Sequence, residues 1–306
     1  MNDEIMVSVP MLVYNHEKTV ARAIESILKQ KTQYRYEIIV ADDASTDNSP
    51  NIIREYARKY PDIIVPVLRE KNLGMQDNNI ETLKLCRGKY ISGCEGDDYW
   101  LTEDKMEKQI SFLENNPDYS ACVTKCKFIV DGKEEPYPFA STDSLDIKDM
   151  LNKGEVKRYA TCTIACRNVY QDNLNLLDYY RTGGVGDIVT VSICIMLGKI
   201  KYMDDVTGIY ERLTKGNGSS FSEKRLVEQV SMIKKAIQQC KRLTGKKYDK
   251  YWNRYIAIFN RAAYYETKSQ IGKKDSNTWY NELSFTEKLY LRRQLIIDYI
   301  NYKRNR

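Results

Sequence analysis

The 306-residue chain is 42% hydrophobic and 29% charged, an ordinary globular balance, and it is long enough to bury a core without disulfides or a structural metal. It has no run of about 18 apolar residues, which excludes a membrane-spanning helix. The net charge of +6 is unevenly placed, with about −7 on residues 1–223 and about +13 on residues 224–306.

In chain order, residues 5–14 (IMVSVPMLVY) form an apolar run interrupted only by Ser8 and predict a buried strand. Residues 19–30 place Val20, Ala23, Ile24, Ile27 and Leu28 at helical spacing. A second strand is expected over 37–41. Pro50 after Ser49 marks a helix start, with Ile52, Ile53, Tyr56 and Ala57 as the apolar face. A third strand over 63–68, a helix over 79–86 and a fourth strand over 89–94 continue the alternation. This order predicts an α/β fold with a mostly parallel sheet and crossover helices. Ligands of such sheets bind beyond the carboxyl ends of the strands.

After Trp100 the pattern changes to a helix over 105–113, strands over 121–130, 159–166 and 201–210, and a helix over 187–197. From Leu226 onward helices are expected. Leu226, Val230, Ile233 and Ile237 fall at helical spacing, as do Tyr255, Ile258, Ala262 and Tyr265.

Eight cysteines are scattered without a Cys-x-x-Cys pair, and His16 is the single histidine, so zinc ligation is not expected. Cys122/Cys126 and Cys162/Cys166 are four apart but lie in strand-like stretches, where buried free thiols are the simpler reading. Residues 1–4 lack the basic and apolar regions of a secretion signal, so a reducing, cytoplasmic location is expected.

Three acidic sites follow predicted strands. In D-D-A-S-T-D, Asp42 to Asp47, a carboxylate can accept hydrogen bonds from a nucleobase imide or a ribose, or the segment is a capping turn. In S-G-C-E-G-D-D-Y-W, Glu95, Asp97 and Asp98 place three carboxylates within four residues, next to Tyr99 and Trp100. Clustered anions repel unless they are solvated or share a cation, and magnesium and manganese take such oxygen ligands together with substrate phosphates. In G-G-V-G-D-I-V-T, Asp187 reads as a helix N-cap, a general base, or both. His16, on the first turn, reads as a structural or donor-side hydrogen-bonding group rather than a base.

With these segments on the page, the chain resembles the inverting family 2 glycosyltransferases of the GT-A nucleotide-binding fold, most of all the bacterial enzymes that build surface polysaccharides. V-S-V-P-M-L-V-Y-N-H-E resembles the family's first strand and turn, and Y-E-I-I-V-A-D-D-A-S-T-D-N-S its second-strand motif. N-L-G at Asn72 to Gly74, G-K-Y-I at Gly88 to Ile91, E-G-D-D-Y-W, G-D-I at Gly186 to Ile188 and I-Y-E-R at Ile209 to Arg212 follow in the family's order over about residues 5–220. Three departures stand out. Leu12-Val13-Tyr14-Asn15 replaces Pro-Thr-Tyr-Asn, Glu95 replaces the first aspartate of the Asp-x-Asp metal motif, and Glu211 interrupts the Tyr-Arg pair.

The resemblance implies a GT-A catalytic domain over 1–221, with a nucleotide-binding half to about residue 100 and an acceptor half after it, followed by a basic helical extension over 222–306. It implies transfer of a sugar from a nucleotide-diphosphate donor, a UDP-sugar in the first instance, to a saccharide or lipid-linked saccharide acceptor. Tyr14, Asn15, Asp42, Asp43, Asn72 and Glu95 are implied on the donor side, with Asp43 at the base, Asp42 supporting its turn and Glu95 at the ribose. Asp97 is implied as the ligand of Mn²⁺ or Mg²⁺, Asp187 as the catalytic base, and Asp98, Trp100 and Arg212 as supporting residues.

Two other readings remain open. A sugar-nucleotide nucleotidyltransferase also uses an α/β sheet with metal-bound phosphates, but no glycine-rich, lysine-bearing loop follows the first strand. A basic, aromatic nucleic-acid-binding protein would use the tyrosines between lysines, but the acidic motifs of the cleft oppose phosphate, so no nucleic-acid partner is expected. The basic tail is either a solvated face of packed helices or a peripheral contact with the anionic inner leaflet of the plasma membrane.

Overall fold

The computed structural model describes residues 4–136, 159–182 and 186–212, and isolated positions between 238 and 292. β1 (Val7–Val13) is buried from Val7 through Met11, so both of its faces are covered and its sequence needs no polar alternation. α1 (Val20–Leu28) follows and buries Val20, Ala23, Ile24 and Ile27, the i, i+3, i+4, i+7 stripe of an amphipathic helix. β2 (Tyr36–Asp42) pairs in parallel with β1. α2 (Ser49–Lys59) carries Pro in its first turn, where the missing N–H costs nothing, and Asp47 Oδ1 accepts the Ser49 N–H. β3 (Ile64–Leu68) extends the parallel ladder on β2.

α3 (Met75–Leu83) begins four residues before the expected helix, because its first turn is polar and the apolar face starts only later. β4 (Tyr90–Ile91) pairs in parallel with β1 and is shorter than its apolar run. Gly88 approaches β1 so closely that a Cβ there would lie 2.5 Å from the Ser8 nitrogen. The same end of the sheet is tied by buried Glu37, which accepts from Ser8 Oγ at 2.7 Å and from the Arg87 backbone and guanidinium.

The second half is mixed. β5 (Tyr99–Trp100) is a two-residue strand with no apolar run to announce it, followed by α4 (Lys105–Asn115). β6 (Tyr119–Val130) and β7 (Lys133–Glu135) form an antiparallel pair. The stretch expected as one strand over 159–166 divides into a 3-10 turn, Thr161–Thr163, and β8 (Ile164–Arg167). A 3-10 segment, Leu174–Thr182, precedes α5 (Gly186–Leu197), and β9 (Lys199–Arg212) closes the sheet. The strand order is β3-β2-β1-β4-β8-β6-β9-β5, with β7 on β6. β4 and β6 pair antiparallel with β8, β5 pairs antiparallel with β9, and β6 pairs parallel with β9.

The chain divides into two compact units. The first comprises Met1–Ile147, Lys157–Arg181 and Gly186–Ser220, and holds the sheet and its core around Val9, Met11, Ile24, Ile38 and Trp100. The second comprises Lys148–Val156, Thr182–Val185 and Phe221–Arg306. In it Trp252 is fully buried, and the described positions Ile256, Ala257, Asn260 and Tyr264 are helical. The helix expected over 226–237 and the glycines Gly183 and Gly184 lie outside the described residues. The seven described cysteines are free and buried. Among the described residues no helix is long and apolar enough to cross a membrane.

Candidate active site

The expected donor residues meet at the carboxyl ends of β1, β2 and β4. Tyr14 directly follows β1 and is 40% exposed. Asn15 follows in the left-handed backbone region (φ 57°), which asparagine tolerates better than most residues. Its side-chain oxygen accepts the Thr46 N–H at 2.8 Å, and its own N–H goes to Ser45 Oγ. His16 N–H reaches Ser49 Oγ and Glu17 N–H reaches Asp47 Oδ2, so the turns after β1 and β2 are laced into one surface.

Asp42 and Asp43 are both buried. Asp42 Oδ2 accepts the Ser45 N–H at 3.0 Å, while its buried Oδ1 takes no hydrogen bond from a described residue. Asp43 accepts the Leu73 and Gly74 N–H groups at 2.7 and 2.9 Å, and Asn72 Nδ2 donates to the Asp43 carbonyl. Asp43 and Asn72 thus clasp the N-L-G turn to the end of β2. Each carboxylate oxygen of Asp43 keeps a further lone pair for a ligand.

The E-G-D-D loop continues the parallel course of β4 alongside β1, with Cys94 N–H on the Pro10 carbonyl and Gly96 N–H on the Leu12 carbonyl. A Cβ at Gly96 would sit 2.8 Å from His16 Nδ1 and 2.9 Å from Val13 Cγ2, so a larger residue there would displace both side chains. Glu95 is half-buried and accepts from Thr161 Oγ1 at 3.2 Å. Burial first, then the charge of Asp97 and to a lesser degree that of Asp187, raise its carboxyl to about 7, against the Thr161 hydrogen bond. Asp97 is 42% exposed at its side chain, with Oδ2 3.9 Å from His16 Nε2. Asp98 is buried and accepts the Glu211 N–H at 3.1 Å. Burial, then Asp97 and Glu95, push its carboxyl well above the usual carboxylate range. Asp187 stands half-buried in the first turn of α5.

Four carboxylates therefore press on one another at one edge of the sheet. Among the described residues no three His, Cys, Asp or Glu side chains converge as a cage for a metal. The donor set nevertheless suits a hard divalent cation, which takes one or two carboxylates and completes its shell with phosphates and water. A cation there would relieve the repulsion that adds to burial in raising Glu95 and Asp98.

Trp100 and Arg212, expected as supporting residues, lie two residues after Asp98 and one after Glu211. Trp100 is buried in the core beneath Lys105, whose Nζ lies 4.2 Å from the ring centroid. Arg212 is exposed at the end of β9, and its carbonyl accepts the Asp131 N–H. Two contributors carry no local sequence signal. Thr161 follows a long segment without a motif. Arg22, on the polar side of α1, pairs with Glu211 across 189 residues.

The family model described as Glycosyl transferase family 2 matches residues 8–174. A glucosyltransferase of Escherichia coli named for action on GlcNAc-diphosphoundecaprenol, WfaP, is 27% identical over 233 residues, covering 75% of this chain and 86% of that protein. Two other curated relatives are each 38% identical over 133 and 124 residues, and there the chain spans only 38% and 44% of their length. Among solved structures, S. aureus TarS 1-349 in complex with UDP-GlcNAc aligns with TM-score 0.65 and 17% identity, over 94% of this chain and 78% of that one. The mannosyltransferase PcManGT of Pyrobaculum calidifontis, in complex with GDP-Man and Mn²⁺, aligns with TM-score 0.54 and 16% identity, over 96% and 85%. At these identities the structural likeness is one of fold.

Proposed function

The chain belongs to glycosyl transferase family 2, and on that basis we propose that it moves a sugar from a nucleotide-diphosphate donor to an acceptor hydroxyl with inversion. The observation that supports this most is the meeting of Glu95 and Asp97 with Asp187 at one sheet edge, close enough for both aspartates to raise the Glu95 carboxyl. Donor-side and acceptor-side carboxylates then face one reacting carbon.

In this reading the exposed Tyr14 stacks on the base and Asp43 offers an acceptor to it, while buried Asp42 supports the turn through the Ser45 N–H. Glu95, beside Thr161, faces the ribose. Asp97 would hold Mn²⁺ or Mg²⁺ on the donor diphosphate. When bound, the cation supplies neutralisation of the charge that develops on the leaving group. Asp187 accepts the proton of the acceptor hydroxyl as that oxygen bonds to the anomeric carbon. The bond from that carbon to the diphosphate oxygen breaks as the new one forms, and nucleoside diphosphate leaves with the electron pair. One displacement with one base inverts the configuration and leaves no sugar on the protein.

The relatives' names support a saccharide or lipid-linked saccharide acceptor and a role in surface-polysaccharide synthesis. Product analysis tests the reaction class. Incubation with nucleotide sugars and Mn²⁺ releases free nucleoside diphosphate if the reading holds. Release of pyrophosphate from nucleoside triphosphate and sugar phosphate would instead mark a nucleotidyltransferase.

A further inference from the structure

Arg22 makes three contacts at once. Its guanidinium lies 4.1 Å from the centroid of the Tyr99 ring, and its Nη2 donates to Glu211 Oε2 at 2.5 Å and to the Asp97 carbonyl at 3.4 Å. Glu211 in turn uses its backbone N–H to hold Asp98 Oδ1. Just beyond, Tyr99 and Trp100 pair with Ile209 and Gly208. The segment from Asp97 to Trp100 is thus fixed from two sides, by α1 through Arg22 and by the end of β9. The glutamate that interrupts the Tyr-Arg pair of the resembled family is one half of this arrangement.

We infer that Arg22 is a positioning residue for Asp97. It holds the backbone of the metal-motif loop against α1 and β9, so that the Asp97 carboxylate is presented to the donor diphosphate. This rests on the donor-site reading given above. The pair is half exposed, 43% at Arg22 and 19% at Glu211, so solvent screens most of what it contributes to stability. Its consequence is geometric, because a site misplaced by about 1 Å loses on the order of 10² in function. A planar guanidinium can stack on Tyr99 while donating to two oxygens, and a lysine ammonium cannot reproduce that fork.

Arg22→Ala and Arg22→Lys in the full chain test the assignment with two readouts. The first is amide hydrogen exchange of the unliganded protein over residues 95–101. The second is affinity for UDP with Mn²⁺ and with EDTA. Arg22→Ala should exchange at least about tenfold faster there and lose about tenfold in Mn²⁺-dependent UDP affinity, the loss expected of a displaced positioning group. Affinity in EDTA should not change, and the melting temperature should stay within about 2 °C. Arg22→Lys should lie nearer to Ala than to wild type. Unchanged exchange, or faster exchange with unchanged Mn²⁺-dependent affinity, overturns the assignment. Wild-type protein that binds UDP no better with Mn²⁺ than with EDTA overturns the donor-site reading instead, and the exchange rates then decide by themselves whether Arg22 holds the loop.

Discussion

The charge of Asp187, at the start of α5, reaches Glu95 in the loop after β4 and helps hold its carboxyl at about 7. The two residues come from opposite halves of the first unit, one from the parallel strands and one from the mixed half. A sheet edge that gathers four carboxylates is electrostatically costly in the absence of a ligand. Such a cost is commonly retained where binding or chemistry uses it.

Asp97→Ala should remove Mn²⁺-dependent affinity for a nucleoside diphosphate while leaving the fold intact. The Asp97 side chain is well exposed, and its ion-pair partner His16 stands 3.9 Å away, so little native packing is lost. Isothermal titration with UDP, with and without Mn²⁺, measures this beside a melting curve. Metal-dependent affinity equal to wild type would remove Asp97 from the site.

Glu37→Ala should act on stability alone. Glu37 is buried at the far end of the strands, where it accepts from Ser8 Oγ, the Arg87 N–H and the Arg87 guanidinium. Its loss leaves the buried Ser8 hydroxyl without its acceptor, a cost of about 1–3 kcal/mol, while the exposed Arg87 guanidinium turns to solvent. Urea unfolding should show that decrease, with Mn²⁺-dependent UDP affinity of the folded fraction unchanged.

Lys105 sets a pH dependence of stability with a definite sign. It is fully buried, donating to Ser92 Oγ and Gln109 Oε1, and burial lowers its ammonium from 10.5 to about 8. Between those values the unfolded chain binds the proton and the folded chain does not. Stability from this group therefore rises with pH across that window, by up to about 3 kcal/mol, and its full penalty is present below about 8. The buried cysteines act in the opposite sense at high pH, because Cys86 and Cys122 are raised by burial. The difference between wild type and Lys105→Met isolates the lysine. Wild type should gain on the variant as pH rises from about 8 to about 10.5. A difference that is flat with pH would mean that Lys105 titrates normally.

The charge of about +13 on residues 224–306 gives the membrane reading a test. If the segment contacts an anionic leaflet, sedimentation with anionic vesicles shows binding at low salt that falls as salt rises, as screened attraction must. No sedimentation at low salt would leave the segment as a packed face or a protein interface.

The elements that sequence reading locates best are those whose burial is locally patterned. β1 and β2 are mainly apolar without strict alternation because both faces are covered, and α1 shows its stripe because only one face is. β5 is not legible, since two residues carry no period and Tyr99 and Trp100 become a strand only by pairing with β9. The acidic residues are legible because they follow strands and cluster within a few positions. Their partners are not. Thr161 touches Glu95, and Arg22 touches Glu211, only through the folded chain.

Single-turnover sugar transfer by Asp187→Asn, to a known acceptor and beside a melting curve and donor affinity, tests the central claim most directly. Asp187 lies inside the first turn of α5 and not at its N-cap, so asparagine keeps the shape, gives up the charge's interaction with the helix dipole, about 0.3–1 kcal/mol, and removes the proton acceptor. A general base acts in the chemical step and its loss costs about 10² to 10⁴ in rate. The variant should melt close to wild type and bind donor as wild type does, yet transfer sugar at least about a hundredfold more slowly. Transfer at a near-normal rate would contradict the account.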